Sequence, residues 1–411
     1  ADGALDFTSA RGPPLVNIGV HPQAQQIASS IARDGTCEMT VCIHLETGEL
    51  SLRPTAMMDS TSRQQGWMPV AWARYNNSVK HTGWAHLSVA AGTDRQISRE
   101  VKAYAAGFLE GFVSAQSIRD FQHNAGVLLH RDEAKHQALD NIHDMFDKSL
   151  KFICRSSGMG PGAGLLDGTA PADKWWRQAR YALLQAWGIL DAYNHQVDAV
   201  QGVAMSMVDL MVLNSDGETP ELEMAYDLEE SLLRQSEKEE SASQGTNGSD
   251  HSNLQAFLQR RVARAERGQH VDRQRAAARR ELTMRQLDEQ AWRRIKEASG
   301  RCSALVRLTS GNKDLMVGHA TFSDYSEMTR IFKYYDLPLG DDVAQKMGFS
   351  SYPGVAGSTD DYYLLDSGLV ITETTISMLT DEPYDRLENN EERVPDFMRI
   401  MLANRLAKTA P

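Results

Sequence analysis

The sequence predicts an α+β fold, and three observations carry that prediction. Short alternating segments near the N-terminus read as strands, a long middle region has apolar residues at helical spacing, and strand character returns abruptly after Gly300. At 411 residues, 41% hydrophobic and 24% charged, the chain can bury a large core and has an ordinary globular composition.

Residues 37–53 supply the first strands: Val41, Ile43 and Leu45 alternate, a turn falls at Thr47-Gly48, and Leu50 and Leu52 resume the alternation. The stretch VKAYAAGFLEGF from Val101 to Phe112, continued by Ile118, has helical spacing. Residues 133–153 and 173–199 follow the same rule, the second with Trp175, Trp176, Trp187 and Tyr193. The apolar run 207–213 (MVDLMVL) reads as a strand that ends in the turn Asn214-Ser215-Asp216-Gly217. Residues 236–253 (SEKEESASQGTNGSDHSN) contain no core former and read as a linker. Residues 254–298 are rich in Arg, Gln, Glu and Ala and read as an exposed helix. The chain therefore divides into an N-terminal segment, residues 1–235, a linker 236–301 open to excision, and a C-terminal segment, residues 302–411.

The formal net charge of -12 excludes a general nucleic-acid binder. The arginines of 254–298 (Arg260, Arg261, Arg264 and Arg267 among them) are interleaved with Glu and Asp, which marks a solvated helix rather than a nucleic-acid arm. No apolar run approaches the roughly 20 residues of a membrane span. The chain opens at Ala1 without a charged segment and apolar core, so the expectation is that any signal peptide has been removed or left out. Four cysteines, Cys37, Cys42, Cys154 and Cys302, are too few for a disulfide scaffold but allow one bridge among the first three. Two glycosylation sequons begin at Asn76 and Asn247 and support a secretory route weakly. The twelve histidines show no close metal-ligand pair, and no metal or cofactor is expected. The glycine-rich run 158–164 follows a helix and lacks a lysine, so it reads as a loop rather than a phosphate cradle, and Trp175/Trp176 read as core.

The chemistry concentrates after the linker. Residues 302–308 (CSALVRL) and 314–319 (DLMVGH) alternate around Thr309-Ser310-Gly311-Asn312-Lys313, a hairpin signal. With the loop centred between Ser310 and Gly311, Cys302 faces His319, Ala304 faces Val317 and Val306 faces Leu315. The other side then pairs Leu305 with Met316 and Arg307 with Asp314. That register sets a thiol and an imidazole side by side at the open end of a hairpin, directly after a segment where the chain can be cut. By itself such a Cys more often fills a core, with a hydrogen-bonded His beside it.

In order, CSALVRL, DLMVGHATFSDYSEMTRIFKYY, SSYPG, DDYYLLDSGLVITETTI and MLANRLA resemble the blocks of the phospholipase B-like family. GWAHLSV, QISREVKAYAAGFLEGFVSAQSI, the Trp175-to-Tyr193 helix and VDLMVLNSDGE resemble its N-terminal half. The resemblance implies an N-terminal-nucleophile hydrolase, a four-layer αββα sandwich made as a precursor and cut between Arg301 and Cys302. By motif it implies Cys302 as nucleophile, His319 of VGH as its neighbour and Thr375, closing TETT, as a pocket threonine. The family usually has tryptophan three residues after this His. Here the position is Phe322, which keeps an apolar wall without the indole N–H. The family also continues beyond ANRLA, with an SGTYNNQW block that supplies an Asn, whereas this sequence stops at Pro411. The expectation is either a fragment or a divergent product that lacks part of its oxyanion machinery.

Three functions follow as expectations. The first is a lipid acyl hydrolase releasing fatty acid from glycerophospholipid; the second is an amidase acting on N-acyl amides with the same site. The third is a non-catalytic luminal or secreted lipid-binding protein. The implied partners are a phospholipid or other acyl substrate and the cleaved N-terminal chain itself, with a homodimer left open. The implied location is the lysosomal lumen or the extracellular space.

Overall fold

A computed structural model describes residues 16–31, 35–58, 65–129, 136–159, 170–215, 218–219, 222, 302–321, 328–358, 362–372 and 392–409. Its elements, in chain order, are β1 (Ile18–Val20), α1 (Pro22–Ile31), β2 (Gly35–His44), β3 (Leu50–Pro54), β4 (Trp67–Asn77), the single turn α2 (Val79–Thr82) and β5 (Trp84–Ala91). Then come α3 (Arg99–Val113), α4 (Ala115–Leu129), α5 (His136–Ser156), α6 (Lys174–Gln196) and α7 (Met207–Asn214). From residue 302 follow β6 (Cys302–Leu308), β7 (Leu315–Thr321), β8 (Arg330–Asp336), β9 (Lys346–Ser351), β10 (Tyr362–Leu365), β11 (Val370–Thr372) and α8 (Asp396–Leu406). The α+β class is borne out.

Nine of the described strands form one sheet in the order β1-β3-β2-β4-β5-β8-β9-β10-β11. The pairs β1/β3 and β5/β8 are parallel and the rest antiparallel. Register lines up side chains across the sheet, because successive residues of a strand point to opposite faces. One row runs Cys37, Tyr75, Leu87, Lys333, Phe349, Tyr363, and all six are buried. The next row, on the other face, runs Glu38, Arg74, Ser88, Tyr334, Gly348, Leu364, and of these Tyr334 and Leu364 are exposed. Trp72 lies exposed on that same face. The buried face meets α3, and α3 in turn packs against α6.

Those two helices touch backbone to backbone. A Cβ on Gly107 would stand 1.9 Å from the Gln185 carbonyl oxygen, one on Gly111 2.3 Å from that of Ile189, and one on Gly188 2.2 Å from that of Tyr104. The crossing admits only glycine at these positions, since no side-chain carbon approaches a carbonyl so closely. Each helix is started by a side-chain cap: Ser98 accepts from the Val101 N–H at 3.2 Å and Asp173 from the Trp176 N–H at 3.0 Å.

The run 207–213 is helix α7, not the strand that its composition predicts. Ser206 accepts from the Asp209 N–H at 3.1 Å, and the Asp209 carboxylate takes the Ser206 N–H at 2.7 Å. This reciprocal capping box starts a helix, and an apolar run without polar interruptions has no periodicity to tell helix from strand. The bridge considered among Cys37, Cys42 and Cys154 does not form: all three are free, buried thiols. The Cys42 thiol instead lies 3.1 Å from the Met58 sulfur. Trp175 and Trp176 are half-buried and pack edge to face, with Phe152 against Trp176. The glycine-rich run follows a helix as read, and Gly160–Gly164 lies outside the described residues, as does 254–298.

Among the described residues, β6 and β7 form a two-stranded ribbon of their own, and they do not define the four αββα layers. No described helix is long and apolar enough to cross a membrane.

Candidate functional site

The ribbon β6/β7 holds the residues that the sequence singles out. Its loop is closed between Thr309 and Asp314: the Thr309 N–H donates to the Asp314 carbonyl at 2.9 Å, and the Asn312 N–H donates to the Thr309 carbonyl at 2.9 Å. Gly311 (φ 74°) and Asn312 (φ 54°) sit in the left-handed region, which those two residue types tolerate best. The Asp314 carboxylate takes the Leu315 N–H at 2.8 Å, so this side chain is spent on its own loop.

That closure moves the centre of the loop to between Gly311 and Asn312, one position later than the sequence predicts. The register therefore slips by two residues. Cys302 is paired with Thr321, Ala304 with His319, Val306 with Val317 and Leu308 with Leu315. Arg307 lies opposite Met316 and not Asp314. A slip of two preserves the faces, so Cys302 and His319 remain on one side of the ribbon. They are diagonal rather than opposed, and the residue directly across from Cys302 is Thr321. Thr321 Oγ1 lies 3.4 Å from His319 Nδ1. The thiol, the imidazole and the hydroxyl all belong to partly exposed residues, whereas Leu305, Val306, Leu308, Leu315 and Met316 are more than half exposed.

The cysteines separate by environment. Burial pushes the thiols of Cys37, Cys42 and Cys154 each up to about 12. Such thiols stay protonated and unreactive at physiological pH. Cys302 alone of the four is not buried, and it opens β6. The larger compact unit of the chain takes up again at that residue after Glu223.

The remaining predicted positions divide as follows. Asn76 is half-buried on β4, paired with Thr36 and His86 one residue before the strand ends. Arg301, Phe322, Thr375 and Asn247 lie outside the described residues. Among the described residues no group of three His, Cys, Asp or Glu side chains is placed to hold a metal ion.

Sequence reading missed two polar groupings. One is Thr321, hidden by the assumed loop centre; the pair Gly311-Asn312, both suited to positive φ, was the available signal. The other lies in the core. The Lys333 ammonium of β8 is 2.7 Å from the Glu110 carboxylate of α3 and also donates to the Val355 carbonyl. The Tyr335 hydroxyl donates to the second Glu110 oxygen. Burial lowers the Lys333 pKa, opposed by the Glu110 charge, and burial followed by that same charge raises that of Tyr335. Nothing local in the sequence marks this pairing across 223 positions.

A two-stranded ribbon with an accessible thiol at its first residue, in a chain built on a mixed α+β sheet, defines a candidate thiol site. Comparison with known proteins gives the chain its family. The family model described as Phospholipase B matches residues 71–411, and the chain belongs to that family. Phospholipase B-like protein A of Dictyostelium discoideum is 26% identical over 347 residues, covering 82% of this chain and 50% of that protein. Human phospholipase B-like 1 is 26% identical over 340 residues, covering 82% of this chain and 48% of that protein. The bovine phospholipase B-like 1 is 27% identical over 311 residues, 75% of this chain and 44% of that protein. The chain thus spans about half the length of the curated relatives it matches.

Proposed function

We propose that the chain belongs to a phospholipase B-like acyl hydrolase that cuts itself before Cys302 and then uses that cysteine as its nucleophile. One observation carries the reading: the single unburied cysteine is the first residue of β6, at the point where the larger compact unit resumes, with His319 on its face. The names of the relatives supply the substrate class, an acyl ester of a glycerophospholipid.

In maturation, Cys302 Sγ adds to the Arg301 carbonyl, the thiol proton passes to the Cys302 nitrogen, and the bond between that nitrogen and the carbonyl carbon breaks. Water hydrolyses the resulting thioester, leaving a carboxylate at Arg301 and a free α-amine at Cys302. An unperturbed α-amine has a pKa of about 8 and takes the thiol proton of its own residue. The thiolate then adds to the substrate acyl carbonyl, and the protonated amine hands its proton to the departing alcohol. Water resolves the acyl thioester to free fatty acid and restores the thiol. His319 polarises or positions rather than serving as base, and N–H donors must meet the developing oxyanion. By the family's motif this reading also gives Thr375 and Phe322 a role toward substrate, and it assigns the two ribbon strands to the second sheet of an αββα sandwich. The sequons at Asn76 and Asn247 favour maturation in a lysosomal or extracellular setting.

The test pairs parent and Cys302→Ala chains on a denaturing gel and on labelled substrates. The reading expects a parent that splits at 301/302 and releases fatty acid from phospholipid, and a variant that does neither. A Cys302→Ala chain that still splits at 301/302 would sink self-processing. Turnover of an N-acyl amide in place of phospholipid would move the assignment to an amidase, and cleavage without turnover of either would move it to a binding protein.

A further inference from the structure

We propose that Arg405 of α8 and Gln185 of α6 bind a monovalent halide ion, of the chloride class, in the core between those two helices. The proposal stands apart from the reading of Cys302 and uses none of its residues.

Arg405 lies in the last turn of α8 and is 2% exposed. Its own carbonyl takes the Ala344 N–H at 2.7 Å, which holds the backbone at this point of the helix. Burial pushes the guanidinium pKa down to about 10, so the group keeps its charge at neutral pH. Arg405 Nη2 donates to Gln185 Oε1 at 2.8 Å, and Nη1 meets no acceptor among the described residues. Gln185 is 0% exposed, and its Nε2 has no acceptor there either. Nη1 shares a carbon with Nη2, and Nε2 shares one with Oε1. The two unpaired donors therefore flank a single hydrogen bond, close enough for one ion to meet both.

Charge decides what kind of ligand fits. Other buried cations have a carboxylate at hand: Arg180 lies 3.5 Å from a Glu100 oxygen and Lys333 2.7 Å from a Glu110 oxygen. Arg405 has none among the described residues. The titratable groups that act on it are the phenols of Tyr335 and Tyr363, which are neutral at neutral pH. The Tyr335 hydroxyl already donates to Glu110. A buried charge without a counter-charge is strongly disfavoured, whereas one that is paired and hydrogen-bonded is tolerated. Water would satisfy the two N–H groups and leave the charge uncompensated. A divalent oxyanion would cancel it and leave one negative charge in its place. A single monovalent acceptor meets both requirements, and a halide asks for donors alone.

The experiment melts the full chain, parent and Gln185→Glu, as potassium chloride replaces potassium gluconate at constant ionic strength. Gluconate is too bulky for the core. Gln185→Glu keeps the acceptor for Nη2 and adds a carboxylate oxygen for Nη1, so the chain supplies the counter-charge itself. Chloride should raise the parent Tm by about 3–6 °C, as an ion bound only by the folded chain does. Gln185→Glu should show no such response. Crystals grown in bromide should place its anomalous signal within hydrogen-bond reach of Arg405 Nη1 and Gln185 Nε2. A parent with the same Tm in both salts, or a Gln185→Glu chain that responds like the parent, would overturn the proposal. So would a crystal with only water or a protein carboxylate at Nη1, and that result decides alone if Gln185→Glu fails to fold.

Discussion

Removing the Glu110 carboxylate should cost more stability than any exposed substitution in this chain. Glu110, Lys333 and Tyr335 are all buried, and the ammonium and the phenol hydroxyl each spend a hydrogen bond on a different oxygen of one carboxylate. Glu110→Ala leaves a buried ammonium whose described remaining partner is the Val355 carbonyl, and an unsatisfied hydroxyl beside it. Breaking a buried ion pair from one side costs about 3–5 kcal/mol, because the surviving charge keeps its desolvation penalty. Glu110→Gln should fall between parent and alanine, since the amide still accepts one bond. The double change Glu110→Leu with Lys333→Met removes both charges and should recover most of the loss, as well-packed apolar replacements of buried pairs do. Urea unfolding followed by tryptophan fluorescence gives the stability of each of these chains. An alanine variant within about 0.5 kcal/mol of parent, or a double variant as unstable as the single, would refute the view of this pair as a mutually dependent buried unit.

Three further outcomes follow from the geometry. Gly111→Ala sets a methyl 2.3 Å from the Ile189 carbonyl, so the α3/α6 crossing must open, and thermal unfolding should report a loss of about 1–3 kcal/mol. Glu218 accepts the Asp396 N–H at the start of α8, and burial together with the Asp396 charge, opposed by Arg399, raises its pKa from 4.5 to about 7. A raised folded pKa means stability that is fully present below the unfolded value and is lost as pH rises through about 7. Stability should therefore drop between about pH 5 and pH 7.5 on the order of 2 kcal/mol, and Glu218→Gln should flatten that slope; parallel melting profiles for the two chains would count against it. Brief treatment of the native chain with a maleimide at about pH 7.5 should modify Cys302 and spare Cys37, Cys42 and Cys154, with peptide mapping as the readout.

The elements of the fold that the sequence disclosed were those with a period. The helices at 99–113 and 174–196 and the strands flanking Gly48 show their spacing openly, because polar or small residues interrupt the apolar ones at regular intervals even where, as with Glu110 and Gln185, those residues are themselves buried. Residues 207–213 carried no such contrast, being apolar nearly throughout, and the deciding information lay in Ser206 and Asp209, a capping box at the edge of the run. The Cys302 ribbon was legible as a hairpin and its faces were correct, since alternation survives a shift of two. Its register was not, because that depends on which loop residues take positive φ, and Gly311-Asn312 outweighed the attraction expected between Arg307 and Asp314. The Glu110–Lys333 pair could not be seen at all. Each residue occupies a position where a helix or strand pattern reads as an ordinary polar interruption, and only the packing of α3 on the sheet brings them together.

Self-processing at Cys302 is tested most directly by the N-terminal sequence of the fragments from freshly produced chain. The expected result is a new terminus beginning Cys302-Ser303-Ala304 in the parent, and a single intact chain when Cys302 is replaced by alanine. A parent chain that stays whole under conditions where it is folded, or a fragment that begins elsewhere and persists in the alanine variant, would contradict Cys302 as the self-processing nucleophile.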